Sequence, residues 1–302
     1  MARTASRGAT LGSAQTVGSL VDELAKRLER GGIGEPTREA RDLLAALLDV
    51  PRHWPLLRAN KWVESDVWQR ACMAADKRAS GAPLAYAVRR ASFRTLTLHV
   101  DERVLIPRPE TELLVDLVLN RCRPGGTAID VGTGSGAIAI SLAVEGKFDR
   151  VIATDISMDA LDVASANATR YMSKIDFLVG DLLNTAEASA GRRLSVVVSN
   201  PPYISFADID ALPRAVRDWE PAVALFSGRD GMAVTARLVR QAAAQLIPGG
   251  LLALEVDARR ASLAAELVAS DARYEGVSVH LDLVGRERFV LATRRERGEE
   301  KE

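Results

Sequence analysis

The chain has 302 residues, 47% of them apolar, which suits one large globular domain and one small one. Its 40 Lys and Arg residues balance 40 Asp and Glu, so no global positive field draws it to nucleic acid. No apolar run approaches the roughly 20 residues that cross a bilayer, Cys72 and Cys122 stand apart as free thiols of a reducing cytosol, and His53, His99 and His280 form no metal-ligand cluster.

The first 20 residues hold Arg3 and Arg7 but no acid, a composition shared by organellar transit peptides and disordered tails; residues 1–15 are read as a disordered tail. Val17, Leu20, Val21, Leu24 and Leu28 recur at helical spacing, and Gly31-Gly32 stops that helix. Pro36 suits the first turn of a second helix, whose apolar face runs Ala40, Leu43, Leu44, Leu47 and Leu48 and which Pro51 ends. A short helix near residues 54–57 and a longer one from about 66 to 80 complete a small bundle over residues 16–90. Trp54, Trp62 and Trp68 are expected in its core. Residues 1–90 carry 15 Lys or Arg against 10 Asp or Glu, which marks either a solvated helical surface or a docking face for an acidic or RNA-bound partner.

Leu96, Leu98 and Val100 alternate with Thr95, Thr97 and His99, so residues 92–106 read as a β-hairpin within a linker at 91–108. Past Pro109, Leu113, Leu114, Leu117 and Val118 mark a helix. From Thr127 onward strands and helices alternate through a domain spanning residues 109–295. Strands are predicted near 127–131, 150–154, 175–179, 194–199, 250–256, 276–282 and 287–293, and helices near 136–145, 157–170, 233–246 and 259–270. This is the pattern of a doubly wound, mostly parallel α/β sheet, Rossmann-like in its winding. The last two strands lack a helix between them, so one of them runs antiparallel. Residues 296–302 read as a frayed tail, and no internal repeat is present.

The most specific run is Ser199-Asn200-Pro201-Pro202-Tyr203-Ile204, which follows the apolar strand Val196-Val197-Val198. Two prolines have no N–H to donate, so they end sheet pairing and leave stiff backbone with outward carbonyls. Asn200 adds a side-chain carbonyl and NH2, and Tyr203 a flat apolar face. Such a tip suits a planar NH2 group: two acceptors take its hydrogens while a ring covers its face.

Gly132-Thr133-Gly134-Ser135-Gly136 follows the first strand of the sheet, where glycines let backbone approach a ligand and take positive φ. The spacing is not the GxGxxG dinucleotide fingerprint. Asp155 ends the second strand, where a carboxylate either grips ribose hydroxyls or caps the next helix. After the third strand comes Gly180-Asp181-Leu182, where Asp181 either accepts from an exocyclic adenine amine or is a turn residue. These groups occupy four successive strand ends, the edge where open α/β sheets bind ligands.

Asp130-Val131-Gly132-Thr133-Gly134-Ser135-Gly136, then an acid, then Gly180-Asp181, then Asn200-Pro201-Pro202-Tyr203 resembles the class I S-adenosylmethionine-dependent methyltransferases of planar amide or amino nitrogens. The NPPY motif alone is shared by adenine-N6 DNA methyltransferases and glutamine-N5 protein methyltransferases. Val104-Leu105-Ile106-Pro107-Arg108-Pro109-Glu110-Thr111-Glu112 resembles the linker signature of the peptide chain release factor glutamine methyltransferases. Gly81-Ala82-Pro83-Leu84-Ala85-Tyr86, the front end with Gly32-Ile33, Pro36 and Glu39-Ala40-Arg41-Asp42-Leu43-Leu44, and Trp219-Glu220-Pro221 with Gly228, Asp230 and Gly231 are similar to that family too. So is Gly285-Arg286-Glu287-Arg288, and the likeness spans roughly residues 17–293. Arg89 and Ser92 stand where the family often has Gly and Glu, and Leu182 where some members carry an aromatic residue.

The resemblance implies S-adenosyl-L-methionine held by Gly132, Thr133, Gly134, Ser135, Gly136, Asp155, Asp181, Leu182 and Asn200. It implies methylation of the glutamine of a Gly-Gly-Gln tip in class I peptide chain release factors, by a cytoplasmic monomer with no nucleic-acid or membrane requirement. Asn200, Pro201, Pro202 and Tyr203 would form the catalytic tip and hold the substrate. The Asn200 oxygen and the Pro201 carbonyl would accept the two amide hydrogens, with no strong general base beside the motif. Arg108 and Glu110 would lie near the substrate, or pair with each other between the domains. The helical bundle would dock the body of the release factor. The rival readings are adenine-N6 methylation of nucleic acid, methylation of a ribosomal-protein glutamine, and a non-catalytic module that binds S-adenosylmethionine.

Overall fold

The computed structural model describes residues 15–184 and 194–296. All but Gln15 of the tail read at residues 1–15, and all but Glu296 of the one read at 296–302, lie outside the described residues. The chain divides into two compact units, residues 1–89 and 90–302.

The first unit is helical: α1 (Val17–Arg30), α2 (Pro36–Leu48), the single turn α3 (Trp54–Leu57), α4 (Ser65–Ala79) and the short α5 (Leu84–Val88). Thr16 starts α1 by a reciprocal cap, its hydroxyl accepting from Ser19 N and the Ser19 hydroxyl accepting from Thr16 N. The leucines set 3–4 residues apart on α1 and α2 meet Ala71, Cys72, Ala74 and Ala75 of α4 in one buried cluster. Trp54 and Trp68 pack against that cluster, but Trp62 does not join it and stays 63% exposed. The reason is local: Trp62 sits in the α3–α4 loop, where its backbone bridges Thr16 and leaves its side chain outside.

The second unit opens with a hairpin, β1 (Arg90–Phe93) paired antiparallel with β2 (Leu96–His99). Residues 100–106, which the alternating pattern assigned to the hairpin, run with 107–108 as irregular chain into α6 (Pro109–Arg121) because Pro107 and Pro109 cannot donate to a ladder. The wound sheet then follows as β3 (Thr127–Val131), α7 (Ala137–Glu145), β4 (Arg150–Asp155), α8 (Met158–Arg170), β5 (Asp176–Val179) and β6 (Leu194–Ser199). After β6 come two single turns, α9 (Arg214–Arg217) and α10 (Ala222–Leu225), then α11 (Ala233–Gln245), β7 (Leu246–Glu255), α12 (Ala261–Ala269), β8 (Tyr274–Leu281) and β9 (Glu287–Arg294).

Strand order is β5-β4-β3-β6-β7-β9-β8, and only β9 opposes the others. The reversal of order between β3 and β6 makes the crevice above their carboxyl ends the natural ligand site. β3, β6 and β7 are near-continuous apolar runs because helices cover both faces of the sheet. β7 begins earlier than the predicted 250–256: Leu246 pairs with Leu194, and pairing resumes only at Val196–Leu251, so Pro248-Gly249-Gly250 is a bulge inside the strand.

Asn167 on α8 ties three pieces together. Its side chain accepts from His99 N and donates to the carbonyls of His99 and Ser135, which fixes the hairpin and the glycine loop to one helix.

Arg89, at the end of α5, has φ of 55°. A Cβ there meets the following carbonyl, whereas glycine carries no such cost. Arg89→Gly should therefore raise the unfolding free energy by up to about 1 kcal/mol. Thermal unfolding checks this, and an unchanged or lower midpoint would contradict it.

Candidate active site

The turn from β3 to α7 holds Gly132, Gly134 and Gly136 at φ of 73°, 54° and 82°. A Cβ added at Gly132 or Gly134 would meet nothing within 4 Å, because both border an open cavity. A Cβ at Gly136 would come within 3.1 Å of Ala164 and Ile140, so this third glycine lets α7 close on α8. Beneath the loop lies fully buried Asp130, whose Oδ2 accepts from the Thr133 hydroxyl at 2.6 Å and from Ala139 N at 3.1 Å. Burial pushes the Asp130 carboxyl up to about 7, against the pull of those two donors. Thr133 is buried in this brace, Ser135 is buried with its carbonyl accepting from Asn167, and neither borders the cavity. Of the loop residues assigned to cofactor by sequence, only Gly132 and Gly134 line it.

The cavity has a volume of about 280 Å³ and continues past Asp155, Asp181, Leu182 and Asn200. Asp155 is not the cap of α8; Ser157 is, through its hydroxyl. The Asp155 carboxylate instead accepts from Gly134 N and Ser157 N, both at 2.9 Å, which locks the first two strand ends together. Burial raises its pKa, and those backbone donors oppose the rise. Asp181 pairs with Arg237 of α11, also on the cavity wall. Leu182 beside it takes a φ of 58°.

A second, smaller cavity of about 70 Å³ is lined by Arg108, Asn200, Pro201 and Tyr203. Asn200 borders both cavities and marks their junction. Its NH2 donates to the Thr111 hydroxyl at 3.3 Å, and its side-chain oxygen accepts no hydrogen bond among the described residues. No backbone N–H of the described residues is bonded to the Pro201 carbonyl. Pro202 faces the larger cavity and Tyr203 the smaller. Burial pushes the Tyr203 phenol up to about 12, so its ring serves as an uncharged wall.

Arg108 and Glu110 do not pair with each other. Arg108 Nη2 donates to both oxygens of Glu220 at 2.7 Å, and Glu110 meets Arg286 at 3.5 Å. Glu110 borders neither cavity. Three participants escaped the sequence reading. Glu220 was seen only as part of a motif, Thr111 only as part of the linker, and Glu255 not at all. The available signal for Glu255 was a lone charge ending the apolar run Leu251-Leu252-Ala253-Leu254 at the ligand edge.

Comparison with known proteins follows this anatomy. Residues 19–88 match the family model described as PrmC N-terminal domain, and residues 109–212 match the one described as Methyltransferase small domain. The release factor glutamine methyltransferase of Deinococcus radiodurans is 39% identical over 278 residues, 91% of this chain and 97% of that protein. The chain belongs to the release factor glutamine methyltransferase family. The enzyme of the same description from Moorella thermoacetica is 39% identical over 93% of this chain and 99% of its own. Among solved structures, a methyltransferase from Pyrococcus furiosus shares the fold at a TM-score of 0.50 and 19% identity, over 67% of this chain and 90% of that one.

Family members use S-adenosylmethionine as cofactor, and the larger cavity fits it. Gly132 and Gly134 leave room for close backbone approach, and Asp155 and Asp181 stand on the wall of the same cavity, where carboxylates suit a ligand that carries hydroxyls, an amine and a sulfonium charge.

The Arg108–Glu220 pair holds the linker against the segment after β6. The Glu220 side chain is 1% exposed, so Arg108→Met strands a buried carboxylate. Urea unfolding should show a loss of roughly 1–3 kcal/mol, with most of it regained in Arg108→Met/Glu220→Gln. Equal stability of the single variant and the parent would mean that the pair holds nothing.

Proposed function

We propose that this chain transfers a methyl group from S-adenosylmethionine to the side-chain amide nitrogen of the glutamine in the Gly-Gly-Gln motif of class I peptide chain release factors. The observation that carries the reading is Asn200 at the junction of the two cavities, its NH2 tied back to Thr111 and its oxygen left open. Family membership supports the substrate. The relatives aligned over nearly their whole length are release factor glutamine methyltransferases.

The cofactor, when bound, supplies an electrophilic methyl on a sulfonium. Gly132, Gly134, Asp155, Asp181 and Leu182 would hold it in the larger cavity. The Asn200 oxygen and the Pro201 carbonyl accept the two hydrogens of the glutamine amide in the smaller one. An amide nitrogen is a weak nucleophile because its lone pair is shared with the carbonyl. Two rigid acceptors orient that nitrogen and favour the positive charge that grows on it, the cationic counterpart of an oxyanion hole. Tyr203 packs against the amide plane and Pro202 stiffens the tip. The nitrogen would form its bond to the methyl as the methyl–sulfur bond breaks, the electron pair staying on sulfur as a neutral thioether, and would give one proton to water. Arg108 acts through Glu220, setting the wall of the substrate cavity.

The helical unit, residues 16–90, would dock the body of the release factor. It carries 13 Lys or Arg against 10 Asp or Glu, together with exposed Leu56, Leu57 and Trp62 beside Arg58 and Lys61. The enzyme would act as a cytoplasmic monomer without nucleic acid. No helix of the described residues is long and apolar enough to cross a membrane.

The test is methyl transfer to purified release factor. Label should disappear when the target glutamine is changed to alanine, and label that persists would overturn the substrate. Asn200→Ala should keep cofactor Kd within about threefold while kcat falls by about 100-fold or more. Equal losses in binding and turnover would leave Asn200 a purely structural residue.

A further inference from the structure

Three side chains form a hydrogen-bonded line from the core to the site. Glu255, at the end of β7, is 1% exposed and accepts from the Thr111 hydroxyl at 2.7 Å. Thr111, in the first turn of α6, is 5% exposed and accepts from Asn200 Nδ2 at 3.3 Å. A hydroxyl has one proton to give. With that proton committed to a carboxylate, Thr111 can meet Asn200 only as an acceptor. An Asn200 amide rotated by half a turn would set its oxygen against the Thr111 oxygen with no proton between them.

We propose that Thr111 and Glu255 are positioning residues that select the orientation of the Asn200 amide and so keep its oxygen turned toward the substrate nitrogen. This rests on the reading of Asn200 as the acceptor for the glutamine amide. Packing alone does not account for the arrangement. A carboxylate sunk at a strand tip is costly, and burial pushes the Glu255 carboxyl up to about 7. The Thr111 hydrogen bond and the charges of Arg288 and Arg108 oppose that rise, while Glu110 adds to it. An apolar pair of the same shape would serve the core at least as well. Only an acceptor for the Thr111 proton gives the line its direction. α6 and β7 thereby act on a group in the loop after β6, 89 residues from Thr111 and 55 from Glu255.

The experiment compares Thr111→Val, Thr111→Ser, Thr111→Val/Glu255→Met and Asn200→Ala for kcat, cofactor Kd and thermal midpoint. In Thr111→Val, kcat should fall about 10- to 100-fold while cofactor Kd stays within about twofold. Thr111→Ser, which keeps the hydroxyl, should stay within about threefold of the parent. The double variant removes both partners of the buried pair, so it should recover the thermal midpoint but not kcat. The proposal is overturned if Thr111→Val turns over within about threefold of the parent, or if kcat returns along with stability in the double variant. If Asn200→Ala itself retains turnover, the underlying reading of Asn200 fails. If Asn200→Ala collapses while Thr111→Val does not, only the positioning role fails.

Discussion

A carboxamide nitrogen offers a methyl donor little electron density, and water around it offers many competing orientations. Both difficulties ease if its two hydrogens are taken by two oxygens that do not move. In the mechanism proposed for this protein those oxygens belong to Asn200 and Pro201, and much of the surrounding structure bears on their rigidity. β6 lies between β3 and β7, so its end is anchored by pairing on both sides. Ser199 adds a hydrogen bond from its hydroxyl to the Val131 carbonyl at 2.6 Å, which fixes the last strand residue before Asn200. Pro201 and Pro202 then remove the freedom that a loop would otherwise have.

The same edge concentrates acidic groups at a cost in stability. Asp130, Asp155, Glu220 and Glu255 all have their pKa raised, in each case first by burial. Each is tied to a neighbour that carries site geometry: Asp130 to the glycine turn, Asp155 to both that turn and the start of α8, Glu220 to the linker arginine, Glu255 to Thr111. Buried charges of this kind are weak contributors to stability. Their common feature is that each holds one loop at the carboxyl edge in a single position relative to another.

What the sequence made legible was what is encoded locally. The alternation of apolar runs with helical periodicity gave the wound sheet. Missing helical sequence between β8 and β9 pointed to a single reversed strand, and β9 is that strand. Glycines, the strand-end acids and the two prolines announced the ligand edge because their conformational effects need no partner. What stayed hidden depends on partners distant in the chain. Arg108–Glu220 spans 112 residues, Arg237–Asp181 spans 56 and Thr111–Glu255 spans 144. Composition likewise says nothing of direction: Thr133 and Ser135 look like ligand groups in a glycine loop, yet both are buried, and the Thr133 hydroxyl turns to Asp130. Trp62 was placed in a core by residue type, while its loop position leaves it exposed.

The most direct measurement is a structure of the enzyme with demethylated cofactor and a glutamine-bearing release factor peptide. The substrate amide nitrogen should sit at about 2.8–3.2 Å from both Asn200 Oδ1 and the Pro201 oxygen, in the smaller cavity and with the vacant methyl position facing it. An amide held by other groups would contradict the account, as would either oxygen turned away from it or already bonded to the enzyme's own backbone.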